Sequence, residues 1–472
     1  MNGVRQRARW LLILVDPLCS DSYNFDYSQN FLSRPTGEKW EQFLAMMERI
    51  SEASTIQGMP RRRHQLSAPL GRLILSLLGL LVSGGFASAE VGGQPSSDKP
   101  QAGKPTLAQV DQAIALSAGY LERACGPDGK FVYEVEIGTG KEIPSYYVLR
   151  HEGAIYALAM LNHSHHNPEA VEAMVRAARF LRENYIGPGA RPDQSIIWTN
   201  PLINGAVPPD DYAELGGTSL GIVALAEVRK VRPEAQPLEQ LQALGRFALS
   251  LQRQDGSFIQ KYSAKSGPVS NWQSLFYPGE AALGFIALYE ADHAEKWLIA
   301  AGKALSYLAR NRAGSFAVPV DHWALIATAR LLPHCQKASC GAAREELVRH
   351  AIQTCDSILQ EQIRGASDAG LDGAFDPDGR IAPAATRLEG LLAALEFLPN
   401  GEFESKIETA VGRGIGFLLP TQIDSGPQAG GMPGAINPRL AESSDIRIDF
   451  VQHTASAWLR YQRLFQITAE SH

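Results

Sequence analysis

The sequence predicts an all-α chain built from six helical hairpins. Three observations carry that prediction. From residue 106 onward, amphipathic helices with one charged face alternate with helices rich in Ala, Gly and Leu. The turn after the first kind repeatedly places a Gly just before an aromatic residue. The second kind opens on clusters of acids with Tyr, Trp, His or Arg. Recurrence at a spacing of roughly 50–70 residues marks a repeat architecture, in which each hairpin buries its apolar face against its neighbours.

The amphipathic helices are expected over residues 107–123, 168–184, 238–252, 294–311, 342–362 and 402–418, where apolar residues recur at i, i+3 and i+4. The second kind is expected over 151–162, 214–228, 279–291, 321–332, 386–398 and 450–463. These segments carry few charges beyond the first turn, and a helix apolar nearly all round belongs inside. Between the two kinds, Gly126-Pro-Asp-Gly-Lys-Phe131, Gln254-Asp-Gly-Ser-Phe258, Ala313-Gly-Ser-Phe316 and Leu371-Asp-Gly-Ala-Phe375 are tight-turn signals. A loop of variable length then delivers a polar cluster to the next inner helix.

Six outer and six inner helices alternating in this way are the pattern of an (α/α)6 barrel, or toroid, over residues 106–466. The Gln-x-x-Asp-Gly-Ser-Phe turn, fullest from Gln252 to Phe258, resembles the repeat of terpenoid cyclases and protein prenyltransferases. The same barrel carries six-hairpin glycosidases, polysaccharide lyases and related sugar epimerases. The resemblance is architectural, selects no single family, and leaves function to be argued from the site. It counts against the zinc-dependent relatives, which place Cys with His at the rim, because no cysteine here starts an inner helix. The Asp-x-Asp-Asp acid of class II terpene cyclases is also missing; Asp210-Asp211 stands alone.

The 472 residues are 45% hydrophobic and 20% charged, with a net charge of −6, as in an ordinary globular protein with no case for nucleic acid. Arg61-Arg62-Arg63, an apolar run from Leu73 to Phe86, and Ala87-Ser88-Ala89 read as a secretory signal peptide over 59–89. The apolar run is shorter than the ~20 residues of a spanning helix, so cleavage, not anchoring, is expected. Residues 1–58 read as an upstream extension before a true start at Met59. Residues 90–105, rich in Gly, Pro, Ser and Lys, read as a linker. The expected location is periplasmic or secreted. There, Cys335 and Cys340 either close a short disulfide loop or remain free thiols. No C-x-x-C, zinc spacing, G-x-G-x-x-G or P-loop appears, so neither a cofactor nor a metal is expected.

Inner helices that run parallel gather their N-termini at one rim, where free N–H groups and the helix dipole meet the polar clusters. Tyr146-Tyr147-Val-Leu-Arg150-His151-Glu152-Gly153 is the fullest cluster, and Arg387-Leu-Glu389-Gly390 repeats its Arg-x-Glu-Gly. Two carboxyls across a pocket are the minimum for glycoside hydrolysis. Glu152, Glu280, Asp321 and Glu389 are the catalytic candidates. Arg150, His151, Asp211, His322, Arg387 and His453 are candidates to bind substrate or tune those acids, with Tyr147, Tyr277 and Trp323 as stacking surface. Each also has a structural reading: Asp321 as an N-cap, the histidines as satisfied core residues, the Arg-x-Glu-Gly pairs as buried salt bridges. His163, His165 and His166 fall on a loop at the far side. Together these residues point to an exported carbohydrate-active enzyme, with hydrolysis first. A polysaccharide lyase or uronate epimerase, with Arg neutralising a uronate, and a non-catalytic polysaccharide-binding or assembly protein are the alternatives.

Overall fold

The computed structural model describes residues 105–315, 318–365 and 370–470, with side chains through 465, all within the unit Gln101–His472. The upstream extension, the signal peptide and nearly all of the linker expected from the sequence lie outside the described residues. Among those described, no helix is long and apolar enough to cross a membrane.

Among the described residues, twelve α-helices follow one another: α1 (Leu107–Ala124), α2 (Val148–His165), α3 (Pro168–Tyr185), α4 (Leu215–Val231), α5 (Leu238–Ser250), α6 (Tyr277–Asp292), α7 (Glu295–Arg312), α8 (His322–Cys335), α9 (Arg344–Glu361), α10 (Ile381–Leu395), α11 (Glu402–Leu418) and α12 (Ile448–Glu470). The even-numbered helices are the inner ones. They pack as a closed ring, α2 on α4, α4 on α6, and so on to α12, which returns to α2. Their composition explains the placement. In α4 every residue from Leu215 to Val228 is buried, and in α6 every residue from Tyr277 to Leu288. The odd-numbered helices bury one stripe only, as Val171, Met174, Ala178, Leu181 and Tyr185 do in α3. At the seam, the first helix, α1, packs against the last, α12.

The repeated turns tie the outer ring together. The Gln252 side chain donates to the Ala300 carbonyl of α7 at 2.9 Å, Gln362 to Ala410 of α11 at 2.8 Å, and Gln422 to Ala113 of α1 at 3.1 Å. The Cys125 thiol takes the same place toward Ala173 of α3. Each turn also carries a glycine with φ near +90°: Gly256, Gly373, Gly430 and Gly129. A Cβ on any of them would stand about 2 Å from the carbonyl three residues further along the same neighbouring helix (Lys303, Arg413, Leu116 and Arg176). Glycine is therefore required twice over, by backbone conformation and by close approach.

Short strands dress the rim loops, a feature the helical periodicity does not announce. Strand β1 (Glu134–Glu136) pairs antiparallel with β7 (Asp445–Arg447), β2 (Ile186–Pro188) with β3 (Ser195–Ile197), and β5 (Lys261–Ser263) with both β4 (Tyr212–Glu214) and β6 (Gly267–Val269). A disulfide joins Cys335 and Cys340 just past α8, their Cα atoms 5.2 Å apart.

Candidate active site

The ring divides its polar side chains between two halves. Helices α2, α4 and α6 contribute glutamates; α8, α10 and α12 contribute His322, Glu389 and His453. In the acidic half, Glu152 projects from the second turn of α2 and Glu280 from the first turn of α6. Both lie against the glycine-rich start of α4. A Cβ at Gly216 would stand 2.3 Å from Glu280 Oε2, and one at Gly221 would stand 3.1 Å from Glu152 Oε1. Glu214 sits between them, at the end of β4 and the N-cap of α4, held by the β4–β5 register opposite Lys261.

Their environments differ. Glu152 is fully buried and neither carboxyl oxygen has a hydrogen-bond partner; Oε2 of Glu280 has none either. Burial, reinforced by the neighbouring carboxyls, pushes both groups well above the usual carboxylate range, so each favours its protonated form. Burial also raises Glu214, but two phenols oppose it. Tyr277 donates to Glu214 Oε2 at 2.8 Å, Tyr147 donates to the same oxygen, and the two hydroxyls are 3.1 Å apart. Such donors favour a charged carboxylate. Half-buried Tyr147 carries this triad toward the mouth, beside half-buried Tyr212 and Trp272. Lys261 lies 3.7 Å from the Tyr212 ring centre and 5.5 Å from that of Trp272.

In the other half, Nδ1 of His453 meets Glu389 Oε2 at 2.8 Å. The His322 ring lies among Phe276, Trp323 and His453, with centroids 5.2, 4.9 and 5.7 Å away, and neither ring nitrogen has a partner. Burial first, then the neighbouring cations, lowers its pKa well below the ordinary imidazole value, so the ring is neutral. Gly390 lets this arrangement close, since a Cβ there would stand 3.2 Å from His322 Cα and Cβ.

Several residues nominated by the sequence have structural work instead. Asp321 caps α8 through the Ala324 N–H (3.0 Å) and pairs with Arg312 at 2.9 Å. His151 bridges Tyr146 Oη (2.7 Å) and the Ala177 carbonyl (2.9 Å), and burial lowers its pKa to about 4; it is a satisfied core histidine. Asp211 accepts from Asn200 Nδ2 (2.7 Å) and the Tyr212 N–H (2.8 Å) and so braces the loop before β4. Arg150 ties α2 to α12 through Asp449 (3.0 Å), an oxygen pair that Arg447 shares. Arg387 pairs with Glu361 of α9 at 2.9 Å. Its helix begins at Ile381, five residues before the expected start, because Pro383 falls in the first turn, where proline is tolerated. Trp323 is 1% exposed and walls His322, so it offers no stacking face to solvent. Tyr147 and Tyr277 serve as hydrogen-bond donors to a carboxylate more than as stacking surface. The sequence placed Glu214 at the rim but not among the catalytic acids; its signal was an acid at the head of a glycine-rich inner helix, Glu214-Leu-Gly-Gly217.

The chain's sequence matches no family model and no curated protein. Its backbone, in contrast, matches solved structures over their whole length. A sugar epimerase from a ruminal bacterium superposes with TM-score 0.57 at 12% identity, covering 76% of this chain and 98% of the other. Cellobiose 2-epimerase from Bacillus thermoamylovorans B4167 gives 0.58 at 13%, covering 76% and 99%. An inactive variant of the α-1,6-mannanase of Salegentibacter, solved with α-1,6-mannotriose, gives 0.50 at 12%, covering 76% and 99%. The chain is an (α/α)6 toroid. At these identities the likeness establishes the toroid's fold and leaves its chemistry to the residues just described.

Proposed function

We propose that this toroid is a carbohydrate-active enzyme that hydrolyses glycosidic bonds at the acidic half of its ring. The observation that carries the reading is the pairing of unlike carboxyls. Glu152 is buried, unpartnered and kept protonated; Glu214, also buried, is held by two phenol donors. Burial raises both, but the phenol donors oppose the rise only at Glu214, and unequal environments of this kind are how one site supplies both an acid and a base. Glu152 would give its proton to the leaving glycosidic oxygen. Glu214 would attack the anomeric carbon or take the proton of an attacking water, and Glu280 would help hold Glu152 above the usual carboxyl range. Half-buried Trp272 and Tyr212 give the mouth apolar faces for sugar rings.

Two further facts support the reading. The structural neighbours named above are a sugar epimerase, a cellobiose 2-epimerase and a mannanase in complex with mannotriose. The Cys335–Cys340 disulfide suits the oxidising compartment that an exported enzyme reaches.

A second reading, sugar epimerisation, is favoured by the juxtaposed imidazoles of His322 and His453, one of them oriented by Glu389, since two bases on opposite faces can exchange a proton at one carbon. One screen separates these readings. The protein is incubated in deuterated water with neutral and uronate-containing oligo- and polysaccharides, and the products are weighed by mass spectrometry. Hydrolysis gives paired fragments whose masses together exceed the substrate by one water per bond cleaved, abolished by Glu152→Gln and Glu214→Gln. Epimerisation gives products of unchanged skeleton carrying one solvent deuterium. Retention of a glycan without any mass change would overturn both and leave a binding protein.

A further inference from the structure

The histidine half carries a second inference, independent of the hydrolytic reading. We infer that His322, Glu389 and His453 form a binding site for one divalent first-row transition-metal ion, with zinc the natural occupant. The three come from three successive inner helices, α8, α10 and α12, and all are at least 96% buried. One ligand atom from each lies within 4.8 Å of the others. His453 Nδ1 is 2.8 Å from Glu389 Oε2, and His322 Nε2 is 4.0 Å from the same oxygen. Ligands about 2.0–2.2 Å from a tetrahedral ion stand about 3.4 Å from one another. At 2.8 Å one pair stands too close and at 4.0 Å a second stands too far, while the third lies within 4.8 Å, so loading asks the three side chains to shift toward a common spacing.

Hydrogen bonding strengthens the case. His322 is 1% exposed, and neither ring nitrogen has a partner. A buried imidazole normally finds a hydrogen bond; one left without has its lone pair available. Gly390 keeps α10 close against the His322 backbone and Trp323 holds the ring's other face, so the ring is fixed with an unused nitrogen 4.0 Å from the carboxylate. Two imidazoles and one carboxylate are a donor set suited to Zn2+, and three protein ligands leave further coordination open. The sequence could not show this site, because the ligands are 67 and 64 residues apart and none belongs to a short metal-binding motif. A bound ion would also remove both imidazoles from acid–base duty and so count against the epimerase reading.

The test uses the full chain, stripped with a chelator and reloaded with Zn2+ or Co2+. Loading is done both over hours in the native state and during refolding from urea, so that slow entry is distinguished from the lack of a site. Metal retained after dialysis is measured by mass spectrometry, and Co2+ by its visible absorption. The expected result is one equivalent per chain, a tetrahedral Co2+ spectrum, and a melting temperature raised by Zn2+. Each of His322→Gln, Glu389→Gln and His453→Gln should weaken binding at least tenfold. His322→Gln carries the most weight: His322 makes no hydrogen bond, so folding is expected to survive, and far-ultraviolet circular dichroism checks that it does. No retained ion after either loading would overturn the inference. So would binding unchanged in the His322 and His453 variants but lost on altering His163, which lies 3.7 Å from Glu227, and His165, both in the last turn of α2.

Discussion

Along α2, α4 and α6, the two ends of the inner ring treat their buried glutamates differently. At the C-terminal ends, Glu227 of α4 accepts from Lys230 and Arg330, each at 2.9 Å. Glu290 of α6 accepts from Arg330 Nε at 2.8 Å and Lys230 at 3.1 Å, with His334 at 3.3 Å. Burial opposes the charge on Glu290, but Arg330 and Lys230 outweigh it and hold its pKa down to about 2. At the N-terminal ends, Glu152 and Glu280 are more deeply buried, yet no cation or donor meets Glu152, and burial drives both upward. One end uses acids to clamp three helices together. The other keeps acids where they weaken the fold, and groups retained against stability are where a ring of this kind would do its chemistry.

The largest expected effect is at the acidic end, and it should separate activity from stability. Glu152→Gln removes the proton donor of the proposed hydrolysis and should lower turnover by about 10³-fold, within the range for general acid catalysis. Stability should move the other way. A carboxyl whose folded pKa is raised binds its proton more tightly folded than unfolded. Stability is therefore full below the ordinary carboxyl range and falls as pH rises toward the folded value. Thermal melts from pH 4 to pH 9 should show that decline in the parent and a flatter profile in Glu152→Gln, with the variant more stable at pH 8 by at least about 1 kcal/mol. A variant destabilised at pH 8 would mean that Glu152 has a structural partner after all, and the contrast between the ends would fail.

The clamp at the other end should give the mirror image. Arg330→Met leaves Glu290 and Glu227 without their shared guanidinium and should cost about 3 kcal/mol, as when one partner of a buried pair is removed. Activity measured well below the melting temperature should stay close to that of the parent. The sign of the pH dependence also reverses. Glu290 is held below its unfolded value, so its contribution is present above about pH 4.5 and is lost as pH falls toward 2. Acid unfolding of the parent should therefore begin at lower pH than that of Arg330→Met, which urea melts at pH 3, 5 and 7 would detect.

Why the two ends were unequally legible in the sequence follows from the same contrast. All twelve helices were readable because apolar periodicity is local, and the repeated turn could be recognised from Gln252, Asp255 and Gly256 alone. The rim was readable as a place, since acids at or just beyond the first turn, such as Glu280 and Glu152, mark a helix start. The partners were not. Nothing local distinguishes Asp321, met by Arg312 and its own helix cap, from Glu152, met by nothing. Nor does the Arg-x-Glu-Gly repeat reveal that Arg150 reaches α12 while Arg387 reaches the outer helix α9. Partnership across the ring depends on helix register, and register is set by packing. The clamp of Glu227, Glu290 and Arg330 passed unnoticed for that reason, as did the convergence of His322, Glu389 and His453.

The smallest effect concerns the disulfide, which closes a six-residue loop just beyond α8, at the clamped end. A loop that short constrains the unfolded chain only modestly, so reduction should cost about 2 kcal/mol. Because Cys335 ends the helix that carries Arg330 and His334, the loss should fall on the clamp and leave the rim in place. Hydrogen exchange on reduced and oxidised protein would read this out: faster exchange at the last turn of α8, with no change at the first turns of α2 and α6. Faster exchange around Glu152 and Glu280 as well would mean that the two ends are coupled through α8, and that the clamp holds the acids in register from the opposite end of the ring.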